Sequence, residues 1–247
     1  MPRLVPSRLA ALCALALIAL CSTAAAAVAK GPLVDLRVVG NGGKVLAEKP
    51  AGASPVSVKA SPKADCFGPG TGGSGENVAV KAGNALSALF TASKSTASLR
   101  PLLVTDAFDF GLGICGVGGS EATKKLSWLI KLDHVASELG GESVKVKTGD
   151  EVLWALVPFP YPDELFLQAP RNAQAGKPFG VKVFAYDAKG KRKPAAGVSV
   201  TGAGEPTGKD GTTTVVLRGP RRLIARNGED IPSNRDAVCV GGKCPRG

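Results

Sequence analysis

The chain has 247 residues, a formal net charge of +11 and only 5% aromatic side chains. This length is more than one small hydrophobic core usually organises, and it suits two domains. Despite the positive charge, the sequence has no motif that interleaves aromatic and basic residues, which argues against nucleic acid as a partner.

The first 29 residues are typical of an export signal. Arg3 and Arg8 precede the apolar run 9–20, and the triplet 27–29, Ala-Val-Ala, offers a small-x-small cleavage site. The mature chain would then begin at Lys30 and be secreted or displayed on the cell surface. After cleavage we expect no transmembrane segment, because no second long apolar run follows.

Two alternatives stay open for this segment. Its alanine-rich extension after residue 20 makes a retained, uncleaved anchor the first alternative. Cys21 suggests a lipid attachment site as the second, although the large Leu20 stands where a lipoprotein signal normally has a small residue.

Four cysteines follow the signal: Cys66, Cys115, Cys239 and Cys244. An even number in an exported chain predicts two disulfides, for which three pairings are possible. Proximity in sequence favours Cys66 with Cys115 and Cys239 with Cys244. A metal site is not expected, because Cys-x-x-Cys spacing is missing and His134 is the only histidine.

The first half of the mature chain predicts a mainly β domain with one helix. Residues 33–39 and 44–48 alternate around a glycine turn, which predicts a β-hairpin. Leu86, Leu89 and Phe90 fall at positions i, i+3 and i+4 of an amphipathic helix that begins after the N-cap Asn84.

Residues 128–154 organise this domain. Alternating side chains predict strands at 128–132 and 144–148, each with one apolar face. Residues 152–157 are apolar on both faces, which predicts a strand covered on both sides in the middle of the sheet.

Three segments carry a resemblance to a known family: 80–89 (VKAGNALSAL), 127–130 (SWLI) and 147–154 (KTGDEVLW). Together they resemble the transcobalamin C-terminal-like domain family, which implies a β-grasp fold for residues 30–157. In the vitamin B12 carriers of that family this domain covers one face of the corrin. The resemblance therefore implies a fold able to bind a small planar ligand, for which a cobalamin-like compound is a possible candidate. No cofactor is expected.

Prolines 158, 160 and 162 predict a stiff linker over residues 158–163. Short strands at sandwich spacing then predict a second domain at 164–247, with a tail closed by a disulfide. Its segments 194–200 and 209–212 resemble bacterial immunoglobulin-like or carboxypeptidase-regulatory-like modules, which implies a β-sandwich that serves as a spacer or an adhesive unit.

The second domain carries most of the positive charge of the mature chain. Residues 163–247 contain 15 basic and 8 acidic side chains. Such a domain would attract anionic cell-wall polymers, although the charge equally suits solubility through self-repulsion. The run 189–193, Lys-Gly-Lys-Arg-Lys, is predicted to be a solvated hairpin tip.

Catalysis is not expected from this sequence. His134 has no companion for a triad and is predicted to be a loop residue. Paired carboxylates, Asp106 with Asp109 and Asp150 with Glu151, lie where solvated polar residues are expected anyway. Residues 111–116 formally match Gly-x-Gly-x-x-Gly, but a second glycine cluster follows instead of a helix, which favours a disulfide-pinned loop.

The candidate ligand-binding residues are aromatic side chains beside glycine loops, where a flat ligand can approach the backbone: Phe67, Phe110, Trp128, Trp154 and Tyr161. The alternative for both tryptophans is core packing. Two functions stay open. One is a non-enzymatic binding module for a small planar ligand, recognised by the loops around Cys66 and Cys115. The other is a structural envelope or adhesion protein that binds anionic cell-wall polymers through its basic sandwich.

Overall fold

A computed structural model describes residues 31–109 and 111–245 of the chain. The predicted export signal, 1–29, lies outside these residues, as does the candidate ligand-binding residue Phe110. Within them the fold is mainly β with one α-helix, as the sequence predicts. In the same two ranges, no helix combines the length and the apolar character that crossing a membrane requires.

Residues 31–157, which we call the N-terminal unit, are arranged around a five-stranded sheet. Their elements are β1 Leu33–Val39, β2 Val45–Gly52, β3 Val56–Lys59, β4 Asn77–Val80, α1 Ala85–Ser95, β5 Leu102–Thr105, β6 Gly113–Val117, β7 Ser120–Glu121, β8 Ser127–Leu132, β9 Val135–Ala136 and β10 Glu151–Val157, with 3-10 turns at Asn41–Gly43 and Ala97–Leu99. The strand order is β2-β1-β10-β8-β9. In this sheet β1 pairs with β10 in parallel and the other neighbours are antiparallel.

Strand β10 lies in the middle of this sheet and is buried on both faces, as predicted. Val152 and Trp154 pack into the core that includes helix α1. Leu153 and Ala155 point the other way, into a second apolar cluster that contains Ile231 from the far end of the chain. A strand covered on both sides needs apolar residues at every position, which explains its unbroken apolar run.

Helix α1 forms where the sequence predicts it, and Asn84 caps its N-terminus. The Asn84 side chain accepts a hydrogen bond from the Ser87 amide at 2.8 Å, and the Ser87 hydroxyl lies 3.2 Å from the Asn84 amide in return. This reciprocal capping box satisfies two amides that the helix leaves unpaired. Leu86, Leu89 and Phe90 are buried against the sheet.

The prediction of a strand at residues 144–148 is wrong. Val144 and Val146 are both buried, as the alternation indicates, but the segment pairs with the entry to helix α1 instead of a strand. The amide of Ala85 donates to the carbonyl of Val144 at 2.9 Å, and the amide of Val146 donates to that of Gly83 at 3.1 Å. Side chains alternate in any extended segment, so the alternation did not distinguish a strand of the sheet from an extended segment that pairs with the start of a helix.

Residues 164–245, which we call the C-terminal unit, contain short strands around a separate core. Their elements are β11 Glu164–Gln168, β12 Asn172–Ala173, β13 Pro178–Tyr186, β14 Arg192–Pro194, β15 Ser199–Val200, β16 Thr212–Val216, β17 Arg221–Leu223, β18 Ala225–Arg226 and β19 Asp236–Val240. Strand β13 pairs with β11, β14 and β16. Strands β17 and β18 are separated by one residue, Ile224, and join different sheets. The β-grasp and immunoglobulin-like assignments stay predictions.

Both favoured disulfides are present. Cys66 bonds to Cys115 with their Cα atoms 5.5 Å apart, and Cys239 bonds to Cys244. Cys115 lies in strand β6 and not in a loop, so the first bridge ties the glycine-rich segment 65–75 to a strand.

Loss of the two disulfides is expected to have unequal effects. Replacing Cys66 and Cys115 by alanine should lower the free energy of unfolding by about 4 kcal/mol, because their bridge closes a long loop in the unfolded chain. Replacing Cys239 and Cys244, which are 5 residues apart, should cost about 2 kcal/mol. Urea denaturation of both double variants tests this, and a larger loss from the tail bridge would contradict it.

Candidate functional site

Four of the five predicted ligand-binding residues line one groove, which the N-terminal unit forms together with the connection that follows it: Phe67, Trp128, Trp154 and Tyr161. The groove has a volume of about 410 Å³, which lies within the range of small-molecule sites. The fifth, Phe110, lies outside the described residues. The groove is bounded by the loop that carries Phe67, by strand β8 and by residues 137–141.

Phe67 is held at the groove by the neighbouring disulfide and by a glycine. The Cys66–Cys115 bridge anchors its loop to β6, and its ring lies directly on Gly113. A Cβ atom at Gly113 would stand 2.6 Å from Cε2 of Phe67, so a side chain there would displace the ring. The other neighbour is Phe108, edge-on with ring centroids 5.3 Å apart. Phe67 itself remains 55% exposed.

The two tryptophans have different roles in the groove. Trp154 is 2% exposed and forms the floor, where its indole nitrogen donates to the carbonyl of Ala85 at 3.3 Å. The core-packing alternative is therefore correct for Trp154, although its ring edge also borders the groove. Trp128 is half-buried, and its indole N–H has no hydrogen-bond partner among the described residues. An unpaired buried donor costs about 1–3 kcal/mol.

Large apolar side chains surround the mouth of the groove. Tyr161 lies on the connection between the two units, and its ring meets that of Phe159 edge-on at 5.4 Å. Leu139 enters from the opposite loop and is 60% exposed. The exposed apolar residues at this opening make the groove the candidate functional site of the described residues.

The groove has an uneven electrostatic character. Among the described residues that line it, Glu138 is the one that is charged at neutral pH, and its side chain is exposed. Lysine and arginine are not found among these lining residues, although the whole chain carries a net charge of +11.

A second feature, a buried charge cluster between the two units, was missed in the sequence. Glu164, the first residue of β11, is 2% exposed and pairs with Arg37 of β1 and Lys131 of β8. The Lys131 ammonium lies 3.1 Å from the Glu164 carboxylate, and Arg37 also donates to the carbonyl of Pro232 at 2.7 Å. Buried charges of this kind need such partners to offset the loss of hydration.

His134 lies in a turn, as predicted, and its side chain also belongs to this cluster. It forms the turn between β8 and β9 with a φ of 70°. Its ring stacks on Tyr186 with centroids 3.8 Å apart, and its two nitrogens lie 3.2 Å from Glu164 and 3.6 Å from Glu151. The turn thus inserts the only histidine between the N- and C-terminal units.

We call the contact between the two units, which contains the Glu164 cluster, the seam. The backbone of the hairpin tip at residues 189–193 also reaches the seam. Its charged side chains are exposed, as predicted. The amide of Ala136 in β9, however, donates to the carbonyl of Ala188 at 2.9 Å, and Val135 forms a bridge with Lys189. The tip is therefore a docking contact with the N-terminal unit as well as a solvated turn.

The charge balance of the cluster is visible in its pKa values. Burial raises the pKa of Glu164, but the hydrogen bond with His134 and the charges of Arg37 and Lys131 outweigh it and hold the pKa at about 2. Burial lowers the pKa of Lys131, against the attraction of Glu164.

A cavity of about 300 Å³ adjoins the cluster. None of the described residues that line this cavity is a serine, a threonine or a cysteine.

The other sequence candidates have local structural roles. Asp106 accepts hydrogen bonds from the amide and the hydroxyl of Ser74 at 2.7 and 2.6 Å. Asp150 accepts from the amide of Lys147 at 2.7 Å. The glycine motif at 111–116 leads into strand β6 instead of a helix, so it has no helix N-terminus to face a phosphate.

No protein-family model, curated protein or solved structure matches this chain. The transcobalamin-like and immunoglobulin-like resemblances therefore stay predictions. Among residues 31–109 and 111–245, no three His, Cys, Asp or Glu side chains are placed to share a metal ion.

The Glu164 cluster predicts a specific dependence of stability on pH. Because the folded pKa of Glu164, about 2, lies below the ordinary value of 4.5, its carboxylate contributes stability above pH 4.5 that is lost as the pH falls toward 2. Glu164→Gln should lower the free energy of unfolding by about 3–5 kcal/mol at neutral pH. The gap to the wild type should shrink in acid.

Urea denaturation at neutral and acidic pH measures this gap. Glu205→Gln, at an exposed position of the C-terminal unit, is the matched control and should change little. A gap for Glu164→Gln that stays constant as the pH falls would show that the carboxylate charge does not stabilise the seam.

Proposed function

We propose that this chain is a non-enzymatic binding module that holds a small planar ligand in its aromatic groove. The observation that carries the proposal is the convergence of Phe67, Trp128 and Tyr161 from three separate segments on one open groove. Core packing does not require this arrangement, because Phe67 and Tyr161 remain exposed. Aromatic faces at an apolar opening favour a flat, ring-containing ligand.

Part of the groove is fixed before a ligand binds. The Cys66–Cys115 bridge and Gly113 hold the Phe67 ring in place before binding. A site fixed in advance loses less conformational freedom when the ligand binds.

We also propose that the protein works outside the cell or on its surface. Two disulfides support this location, since such bonds persist in oxidising compartments. The export signal predicted from the sequence agrees with it. The resemblance to the transcobalamin C-terminal-like family makes a cobalamin-like compound the first ligand to test.

Tryptophan fluorescence can test the proposal directly, because both tryptophans of the chain border the groove. Titration with cobalamin and other tetrapyrroles should give a saturable change in emission for at least one compound. Phe67→Ala and Tyr161→Ala should each weaken that affinity about 3- to 10-fold, the value of one aromatic contact.

Leu33→Ala is the control for this titration, because Leu33 is an exposed apolar residue of the same unit outside the groove. It should leave the affinity unchanged. A fluorescence response to none of the compounds would contradict the tetrapyrrole version of the proposal, and equal affinity in all variants would place the ligand elsewhere.

A second candidate function is adhesion to anionic cell-wall polymers through the C-terminal unit. Arg218 and Arg221 are exposed around the turn that leads into β17. If this surface adheres, Arg218→Ser/Arg221→Ser should reduce retention on cell-wall material at low salt, with less effect at high salt. Lys124→Ser/Lys125→Ser removes the same charge from the N-terminal unit, and an equal loss in that control would contradict a specific role for the C-terminal unit.

A further inference from the structure

We infer that the ligand of the aromatic groove is a planar organic cation, such as a heteroaromatic ring with an alkylated, permanently charged nitrogen. This inference rests on the proposed function, because it names the ligand class of the same groove. It is drawn from the rings and the charges that the groove presents.

The rings provide the first part of the argument. An aromatic face carries a partial negative charge, so a cation within about 6 Å of a ring centre is attracted to it. Trp128, Tyr161 and Phe67 surround one opening, and tryptophan gives the strongest attraction of the three types. A flat cation can stack on one ring and direct its charge at another.

The carboxylate of Glu138 provides the second part. Among the described residues that line the groove, Glu138 is the one with a charged side chain, and none of them is a lysine or an arginine. The groove therefore offers an ion-pair partner to a cation and none to an anion. Lys124 and Lys125 lie in the adjoining segment but do not line the groove.

Two of the loops around the groove extend this acidic character, whereas a third, at residues 122–126, contains Lys124 and Lys125. Segments 106–113 and 137–143 contain acidic residues and no basic ones: Asp106, Asp109, Glu138 and Glu142. The two loops come together where a carboxylate oxygen of Glu142 lies 2.7 Å from the position of a Cβ on Gly111. In a chain with a net charge of +11, a lining that holds one carboxylate and no basic side chain is a local exception that favours cations.

Three compounds with the same flat ring system can separate charge from shape. N-methylquinolinium is a permanent cation, 4-methylquinoline is its neutral counterpart of equal size at about pH 8, and quinoline-4-carboxylate is an anion. Isothermal titration calorimetry with the full chain gives the three affinities. The cation should bind about 5- to 30-fold more tightly than the neutral compound, and the anion should bind most weakly.

Variants that replace a carboxylate by a neutral amide identify the source of the preference for the cation. Glu138→Gln should weaken binding of N-methylquinolinium about 3- to 5-fold and leave 4-methylquinoline unchanged. Glu205→Gln, on the C-terminal unit, should change neither affinity. An unchanged preference in Glu138→Gln would contradict the part assigned to this carboxylate.

The possible failures are distinguishable. Equal or tighter binding of the neutral or anionic compound, weakened by Phe67→Ala, would overturn the cationic ligand and leave the groove as a binding site. Binding of none of the three flat compounds would overturn both this inference and the proposed use of the groove for planar ligands.

Discussion

The face of the five-stranded sheet that points away from helix α1 must be covered by another part of the chain, and this constraint organises the molecule. Leu153 and Ala155 make that face of β10 apolar, while Arg37 and Lys131 place two charges beside them. A surface that covers this face has to bury its apolar residues and provide partners for the two charges. The C-terminal unit provides it with Ile231 and Glu164. A buried charge cluster is weak evidence for stability, but it tolerates few alternative arrangements of the two surfaces.

The same seam helps to place the groove. The connection 158–163 is fixed at one end by β10 and at the other by Glu164, so Tyr161 is held between two anchored points. Strand β10 also carries Trp154, which forms the floor of the groove from the opposite face of the sheet. One central strand thus links the interface of the two units to the candidate binding site.

Features encoded by neighbouring residues could be predicted from the sequence. The first hairpin, helix α1 with its Asn84 cap, and the two-sided burial of β10 all depend on patterns within a few residues. The segment 144–148 was predicted wrongly because extended backbone alone does not reveal its hydrogen-bond partner. Four of the candidate aromatic residues line one groove, but the sequence did not indicate that their separate segments meet there.

The charge cluster was beyond sequence reasoning because Arg37 and Glu164 are 127 residues apart in the chain. A signal did exist: Arg37 and Lys131 share strand faces with the apolar residues Val39 and Leu129, and a charge on a buried face needs a partner. The sequence gives no indication of which carboxylate that partner is. The contacts of the His134 side chain were not predicted for the same reason, since its neighbours Glu164 and Tyr186 come from the other unit.

The most direct test of the binding site is a ¹H–¹⁵N NMR titration of the full chain with N-methylquinolinium, which reports the two indole N–H groups separately. The account predicts that the Trp128 indole signal and the backbone amides of Phe67 and Gly140 shift together, while the amides of His134 and Glu164 stay in place. Shifts confined to the seam residues, or an unmoved Trp128 signal at saturation, would contradict it.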